Sequence, residues 1–74
     1  MLRSDILRMP TVAYYSGYNG IEIKEIKGDL VYCVSGTFSG SKRTVHIVKV
    51  HYDTDKPYFK IDGKRIRLDE CMRV

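Results

Sequence analysis

Several features that mark particular protein classes are missing or scarce in this chain of 74 residues, which has no tryptophan, two cysteines and two prolines. No stretch approaches the roughly 18 consecutive apolar residues of a membrane-spanning helix. The segment from Met1 to Pro10 carries acidic and basic residues among its apolar ones, unlike a signal peptide. We therefore expect a cytoplasmic protein that makes no contact with a membrane.

The two cysteines, Cys33 and Cys71, are too few for a disulfide framework and lack the paired spacing of a zinc site. Cys33 lies in the apolar run of residues 30–34, which is typical of a buried, unreactive thiol. A disulfide between them would need an oxidising compartment, and nothing else in the sequence indicates one. We expect both thiols to be free.

Motifs for catalysis are also absent. Residues 36–44 resemble a phosphate-binding loop, but Ser41 replaces its second glycine and Arg43 stands where a hydroxyl must bind Mg²⁺. His46 and His51 are five positions apart on one predicted strand, so they point to opposite faces and cannot share a metal. No motif brings a nucleophile, a base and an orienting carboxylate together. The sequence predicts no enzyme, no metal site and no cofactor.

The amino-acid composition is typical of a folded globular protein, with 43% hydrophobic and 30% charged residues. A chain of this length forms one domain, residues 1–74, and its core is small. Burial in such a domain barely offsets the entropy lost on folding. Self-association or binding to a partner would supplement its stability.

The apolar residues follow a period of two, which predicts strands. Ile21 and Ile23 alternate with polar residues, and the shift to Ile26 indicates a bulge or a strand end. Residues 30–38 and 44–52 are rich in β-branched and aromatic residues, with a hairpin loop at 39–42 between them. We predict an all-β domain of four to five antiparallel strands, closed into a small barrel or strongly curled. Ser4 could cap a short N-terminal helix, and a first strand is a nearly equal alternative for the same residues.

The clearest local prediction is a second hairpin over residues 58–68, closed by an Asp-Gly turn at 62–63. A two-residue turn sets Lys60 opposite Arg65, although like charges in that position destabilise a strand pair. By alternation, one face of this hairpin carries Phe59, Ile61, Ile66 and Leu68. The other face carries Tyr58, Lys60, Arg65 and Arg67, which we call the basic face, and on it Tyr58 could stack against Arg67.

The charge distribution directs attention to the same half of the chain. Residues 1–39 carry four basic and four acidic residues, so the net charge of +4 belongs to residues 40–74, with nine basic and five acidic residues. Charge on an edge strand often serves only to prevent aggregation. It also suits an anionic partner, either a phosphate chain or an acidic protein surface.

A second candidate surface is the tyrosine segment, residues 13–20, which contains Tyr14, Tyr15 and Tyr18 among serine, glycine and asparagine. These residue types are favoured in binding loops because tyrosine gives a large contact area with few rotors to fix. A strand followed by an Asn-Gly turn explains the same pattern without any binding role. At least one of the three tyrosines should be exposed.

Two functions are consistent with these surfaces. The first is a non-catalytic interaction protein that blocks or adapts a larger protein complex that handles nucleic acid, using the tyrosine segment and the basic face against an acidic surface. Small accessory proteins of this type include those with which viruses inhibit host machinery. The second is direct binding of single-stranded nucleic acid on a small barrel. Acidic residues interleave with the basic ones, and no RNA-recognition motif is present, so the first is preferred.

Overall fold

The computed structural model describes residues 3–17, 20–36 and 43–74. Its elements in chain order are α1 (Arg3–Arg8), β1 (Ala13–Tyr15), β2 (Ile21–Lys27), β3 (Leu30–Ser35), β4 (Thr44–Lys49), β5 (Tyr58–Ile61), β6 (Lys64–Arg67), a 3₁₀ helix (Leu68–Glu70) and β7 (Met72–Arg73). The prediction of an antiparallel all-β domain with a short N-terminal helix is confirmed. The helices in the described part of the chain are too short and too polar to span a bilayer.

The main sheet has five strands in the order β4-β3-β2-β1-β7, and every neighbouring pair is antiparallel. The register between β2 and β3 shifts between Ile23 and Glu25, so Lys24 is an extra residue at a β-bulge. This is the irregularity that the change of apolar spacing predicted. The loop predicted at 39–42 and the strand residues 37–38 lie outside the described residues.

The hairpin of β5 and β6 has the predicted register, with Lys60 opposite Arg65 and Phe59 opposite Ile66. Asp62 and Gly63 have φ angles of 50° and 80°, the pair of positive values that a type I′ turn requires. Such a turn matches the natural strand twist, and glycine tolerates its second position because it has no Cβ.

This hairpin forms a second layer rather than a further part of the main sheet, and the described strands do not close into a barrel. Its apolar face packs on one face of the main sheet. The resulting core consists of Ile21, Ile23, Val31, Cys33, Val50, Phe59, Ile61 and Ile66, each at most 1% exposed. Each large side chain buried in this way contributes on the order of 2 kcal/mol.

Helix α1 covers part of the opposite face of the main sheet. Ile6 is fully buried against Val34 of β3 and Val45 of β4, with Met9 and Tyr32 packed beside them. The helix ends before Pro10, which lacks the amide hydrogen that a further turn would need. The sheet therefore has the hairpin on one face and a short helix on part of the other.

A polar cluster lies at the bulge of β2. Lys24 is only 6% exposed, and its ammonium donates to Thr11 Oγ1 at 2.8 Å and lies 3.4 Å from Glu22 Oε1. Thr11 donates to Glu22 Oε1 at 2.7 Å, and Arg43 donates to Glu22 Oε2 at 2.5 Å. Partial burial acts to raise the pKa of Glu22, but the bond from Thr11 and the charges of Arg43 and Lys24 outweigh it and hold that pKa below its usual value.

Replacing Glu22 with glutamine should lower the free energy of unfolding by about 2 kcal/mol at pH 7, because the buried ammonium of Lys24 loses its counter-charge. Because the pKa of Glu22 is lower in the folded protein than in the unfolded chain, its carboxylate stabilises the fold fully only at pH values above the unfolded-state pKa of about 4.3. That stabilisation is lost as the pH falls through the folded pKa. The difference between the two proteins should therefore shrink at pH 3, as urea unfolding followed by circular dichroism would measure.

Glu25→Gln is the matched control, since Glu25 lies half-buried on the same strand. It should change the free energy of unfolding by no more than about 0.5 kcal/mol. An effect of Glu22→Gln that is equally large at pH 3 and pH 7 would show that the carboxylate charge is not what stabilises the cluster.

Candidate binding surface

The outer face of the hairpin has the residues that the sequence assigned to the basic face, namely Tyr58, Lys60, Arg65 and Arg67. Lys60 and Arg65 are exposed and directly opposite one another. Among the described residues, neither has an acidic side chain within ion-pairing distance. The repulsion between them is tolerable because both charges are exposed, where water and salt screen them.

The ring of Tyr58 holds one of these two cations in place. The guanidinium carbon of Arg65 lies 4.4 Å from the centre of the Tyr58 ring, a cation–π contact. The partner expected from the sequence was Arg67, the residue directly opposite in the register. Arg65 instead reaches the ring diagonally, which long side chains can do across an antiparallel pair.

His51 also contacts Tyr58, and the sequence gave no signal of this. Its ring stacks on the tyrosine with centroids 4.9 Å apart and an interplanar angle of 23°. Backbone hydrogen bonds between His51 and Tyr58, 2.8 and 3.3 Å long, join the end of the β4 segment to β5. Tyr58 is therefore fixed by a neighbour from each side of its strand, which orients Arg65 as well.

Arg67 has a different role from its neighbours, because acidic residues of the following 3₁₀ helix offset its charge. Its Nε lies 3.1 Å from Asp69 Oδ1 and 3.5 Å from Glu70 Oε1. The backbone amide of Arg67 also donates to Glu70 Oε1 at 3.1 Å, which caps the helix. Arg67 thus belongs to the local structure, and the charge left for a partner is that of Lys60 and Arg65.

An open cleft of about 410 Å³ lies beside this face, lined by Thr54, Asp55, Lys56, Tyr58, Arg65 and Arg67. Lys56 is exposed and adds a cation to the cleft, while Asp55 is its one acidic residue. Thr54 fixes the turn, since its hydroxyl donates to the Lys56 carbonyl and accepts from the Lys56 amide. The cleft has an excess of positive charge and suits an anionic group.

The described residues of the tyrosine segment do not lie on one face of the main sheet. Tyr14 is 38% exposed and pairs with Glu22, which in turn pairs with Val34, so these three share the face that α1 covers in part. Tyr15 points to the opposite face and packs against the hairpin core. Tyr18 lies outside the described residues. The structure therefore does not bring Tyr14 or Tyr15 onto the basic face.

Tyr14 lines a second open cleft of about 680 Å³, together with Thr11, Ser16, Gly20, Glu22, Gly36 and Val74. Val12, Met72 and Val74 are also exposed near it. Pairing between β1 and β7 places these three side chains on the same face of the main sheet as Tyr14.

The groups capable of chemistry are engaged in structure. Ser35 Oγ and His46 Nε2 share a hydrogen bond of 2.8 Å that satisfies the buried serine hydroxyl. Cys33 and Cys71 are free thiols. Burial raises the pKa of Cys33 to about 12, and burial together with the charges of Glu70 and Asp69 raises that of Cys71 to about 11. Groups of three or more side chains that could hold a metal ion do not occur among the described residues.

Comparison with known proteins gives no further indication, because no family model, curated protein or solved structure matches the chain. The assignment of a function depends on the surface itself.

The contact between Tyr58 and Arg65 should appear as a coupling of about 0.5–1 kcal/mol in a double-mutant cycle. The cycle combines Tyr58→Leu with Arg65→Gln, and urea unfolding measures the four proteins. A parallel cycle with Arg67→Gln tests the pairing expected from the sequence. A larger coupling for Arg67 than for Arg65 would contradict the observed geometry.

Both thiols should be almost inert in the folded protein. Thiolate is the reactive form, so the raised pKa values of Cys33 and Cys71 predict alkylation at pH 8 at least about a hundredfold slower than in urea. Mass spectrometry after timed exposure to iodoacetamide gives the two rates. Rapid labelling of either cysteine without denaturant would show that its segment opens.

Proposed function

We propose that the protein is a non-catalytic interaction protein whose basic hairpin face docks onto an acidic surface of a larger protein. The observation that carries the proposal is the cross-strand pair of Lys60 and Arg65. The pair is exposed, has the same sign of charge and lacks an acidic partner among the described residues. An acidic group placed between these side chains relieves their repulsion, so binding gains a favourable electrostatic contribution.

The rigidity of the site supports the same proposal. Arg65 is held by Tyr58, and Tyr58 is held by His51. A side chain that is already fixed in its bound position loses less entropy when a partner arrives. Arginine and tyrosine are also the residue types that contribute most at protein interfaces.

The geometry favours a protein partner over single-stranded nucleic acid. Stacking of bases requires aromatic faces that are free and lie next to a basic groove. The Tyr58 ring already contacts Arg65 and His51, and Tyr14 lies on the opposite side of the domain. Carboxylates do not need a free ring, because they bind a guanidinium through its edge.

The test uses the double variant Lys60→Glu and Arg65→Glu, with Arg67 left intact because its side chain forms ion pairs with Asp69 and Glu70. The probes are a fluorescent glutamate-rich peptide and a fluorescent single-stranded oligonucleotide of equal length, and anisotropy is measured at low and moderate salt. The wild type should bind the peptide, with affinity falling as salt rises. The double variant should lose at least about tenfold in affinity, since attraction becomes repulsion at both positions.

A matched control carries Lys27→Glu and Arg73→Glu, which change the net charge equally at exposed positions outside the hairpin. It should bind the peptide within about threefold of the wild type, while thermal unfolding verifies that both variants fold. If the control loses as much affinity as the hairpin variant, the attraction comes from net charge alone. Tighter binding of the oligonucleotide than of the peptide, lost in the hairpin variant, would favour the nucleic-acid function instead.

A further inference from the structure

Two exposed cations, Lys56 and Arg65, line the cleft of about 410 Å³ beside the basic face. Neither forms an ion pair with an acidic side chain in the part of the chain that the structure describes. Arg67, the third cation of the lining, is offset by acidic residues of the 3₁₀ helix. Asp55 is the one carboxylate of the lining. The cleft therefore contains two positive charges that no ion pair among the described residues neutralises.

These two cations lie on either side of Tyr58 along the hairpin. Lys56 precedes Tyr58 by two residues, in the extended stretch before a proline, so alternation places both on the outer side. Arg65 is level with Lys60, on the other side of Tyr58, and its guanidinium leans back over the tyrosine ring. A guanidinium that rests on a ring keeps its edge for acceptor oxygens. An anion beside the ring is therefore accessible to both side chains.

We propose that this cleft binds the phosphoryl group of a phosphorylated serine side chain on the partner protein, with Lys56 and Arg65 as its two cationic contacts. The inference rests on the docking function proposed above and names the chemical group that the hairpin recognises there. The cleft is at the small end of the roughly 300–1,000 Å³ of ligand sites. That size suits a single side chain that projects from the partner's surface.

The number of charges favours a phosphoryl group over a carboxylate. A carboxylate carries one negative charge and leaves one of the two cations without a partner. A phosphate monoester carries about −1.5 to −2 charges at pH 7 and has three strong acceptor oxygens. It can therefore accept from the edge of the Arg65 guanidinium and from the Lys56 ammonium at the same time.

The turn that precedes β5 positions Lys56 and also contributes the opposing charge. The Thr54 hydroxyl accepts from the Lys56 amide at 3.2 Å and donates to the Lys56 carbonyl at 2.8 Å. Asp55 lies between these two residues, and its carboxylate repels any anion in the cleft. Because a phosphate monoester carries about twice the charge of a carboxylate, each change of charge at Lys56 or Asp55 should affect it about twice as strongly in free energy.

The test uses three fluorescent peptides that are identical except for one central residue, which is serine, glutamate or phosphoserine. Anisotropy at constant ionic strength measures their affinities. The wild type should bind the phosphoserine peptide at least about tenfold more tightly than the glutamate peptide. Amide chemical shifts from NMR locate the site, and the largest changes on adding the phosphoserine peptide should occur at Thr54, Lys56 and Arg65.

Two single substitutions at exposed positions change the charge of the cleft in opposite directions. Lys56→Gln should weaken the phosphoserine peptide at least about tenfold and the glutamate peptide only about threefold. Asp55→Asn should tighten the phosphoserine peptide about fivefold and the glutamate peptide about twofold. Lys64→Gln is the matched control, because Lys64 is exposed on the same hairpin but does not line the cleft. It should change either affinity by less than about twofold.

The outcomes separate this inference from the docking function on which it rests. Equal binding of the phosphoserine and glutamate peptides, lost in the Lys60→Glu, Arg65→Glu variant, overturns the phosphoryl site and leaves the docking function intact. Failure of the wild type to bind any of the peptides overturns both. Equal losses from Lys56→Gln and Lys64→Gln show that net charge alone is responsible and overturn the site. Tighter binding of a 5′-phosphorylated oligonucleotide than of the phosphoserine peptide overturns the protein source of the phosphoryl group.

Discussion

Phe59, Ile61 and Ile66 lose their contact with water when the β5–β6 hairpin lies on the main sheet, and the rest of the structure depends on that burial. The hairpin presents these side chains on one face because alternation along its strands is strict and the type I′ turn fixes their register. The same register sends Lys60 and Arg65 to the outside. The core and the candidate binding surface are thus two faces of one hairpin.

Charged side chains that the fold buries have groups of opposite charge or hydrogen-bond partners close by. Lys24 is almost fully buried at the bulge, where the Glu22 carboxylate supplies opposite charge and Thr11 accepts a hydrogen bond from the ammonium. Arg67 is compensated in the same way by Asp69 and Glu70. Lys60 and Arg65 stand in contrast, because neither has an acidic neighbour among the described residues, and only Arg65 has an aromatic support, the ring of Tyr58. A stable fold does not need that arrangement, which is why we propose that it serves binding.

Local patterns were sufficient for much of this structure. The Asp-Gly turn with alternating apolar residues predicted the hairpin and its register residue by residue. The apolar shift after Ile23 predicted either a bulge or a strand end, and the structure has the bulge. Contacts between distant segments could not be predicted. His51 stacks on Tyr58 because the β4 segment bends into β5, and Arg43 reaches Glu22 from 21 positions away in the chain. The local sequence does not specify such side-chain contacts, because they depend on how the strands are arranged in space.

The sequence by itself determined the all-β class, the pairing of the last hairpin and the division of its side chains into an apolar and a basic face. These follow from side-chain alternation and turn chemistry, which act over a few residues. The tertiary structure decided that β5 and β6 form a separate layer, that Arg65 rather than Arg67 lies on Tyr58, and that Tyr14 faces away from the basic face. The first and the last depend on which face of the sheet the hairpin covers, and burial of the apolar surface selects that face. The second depends on Asp69 and Glu70, which hold Arg67 away from the ring.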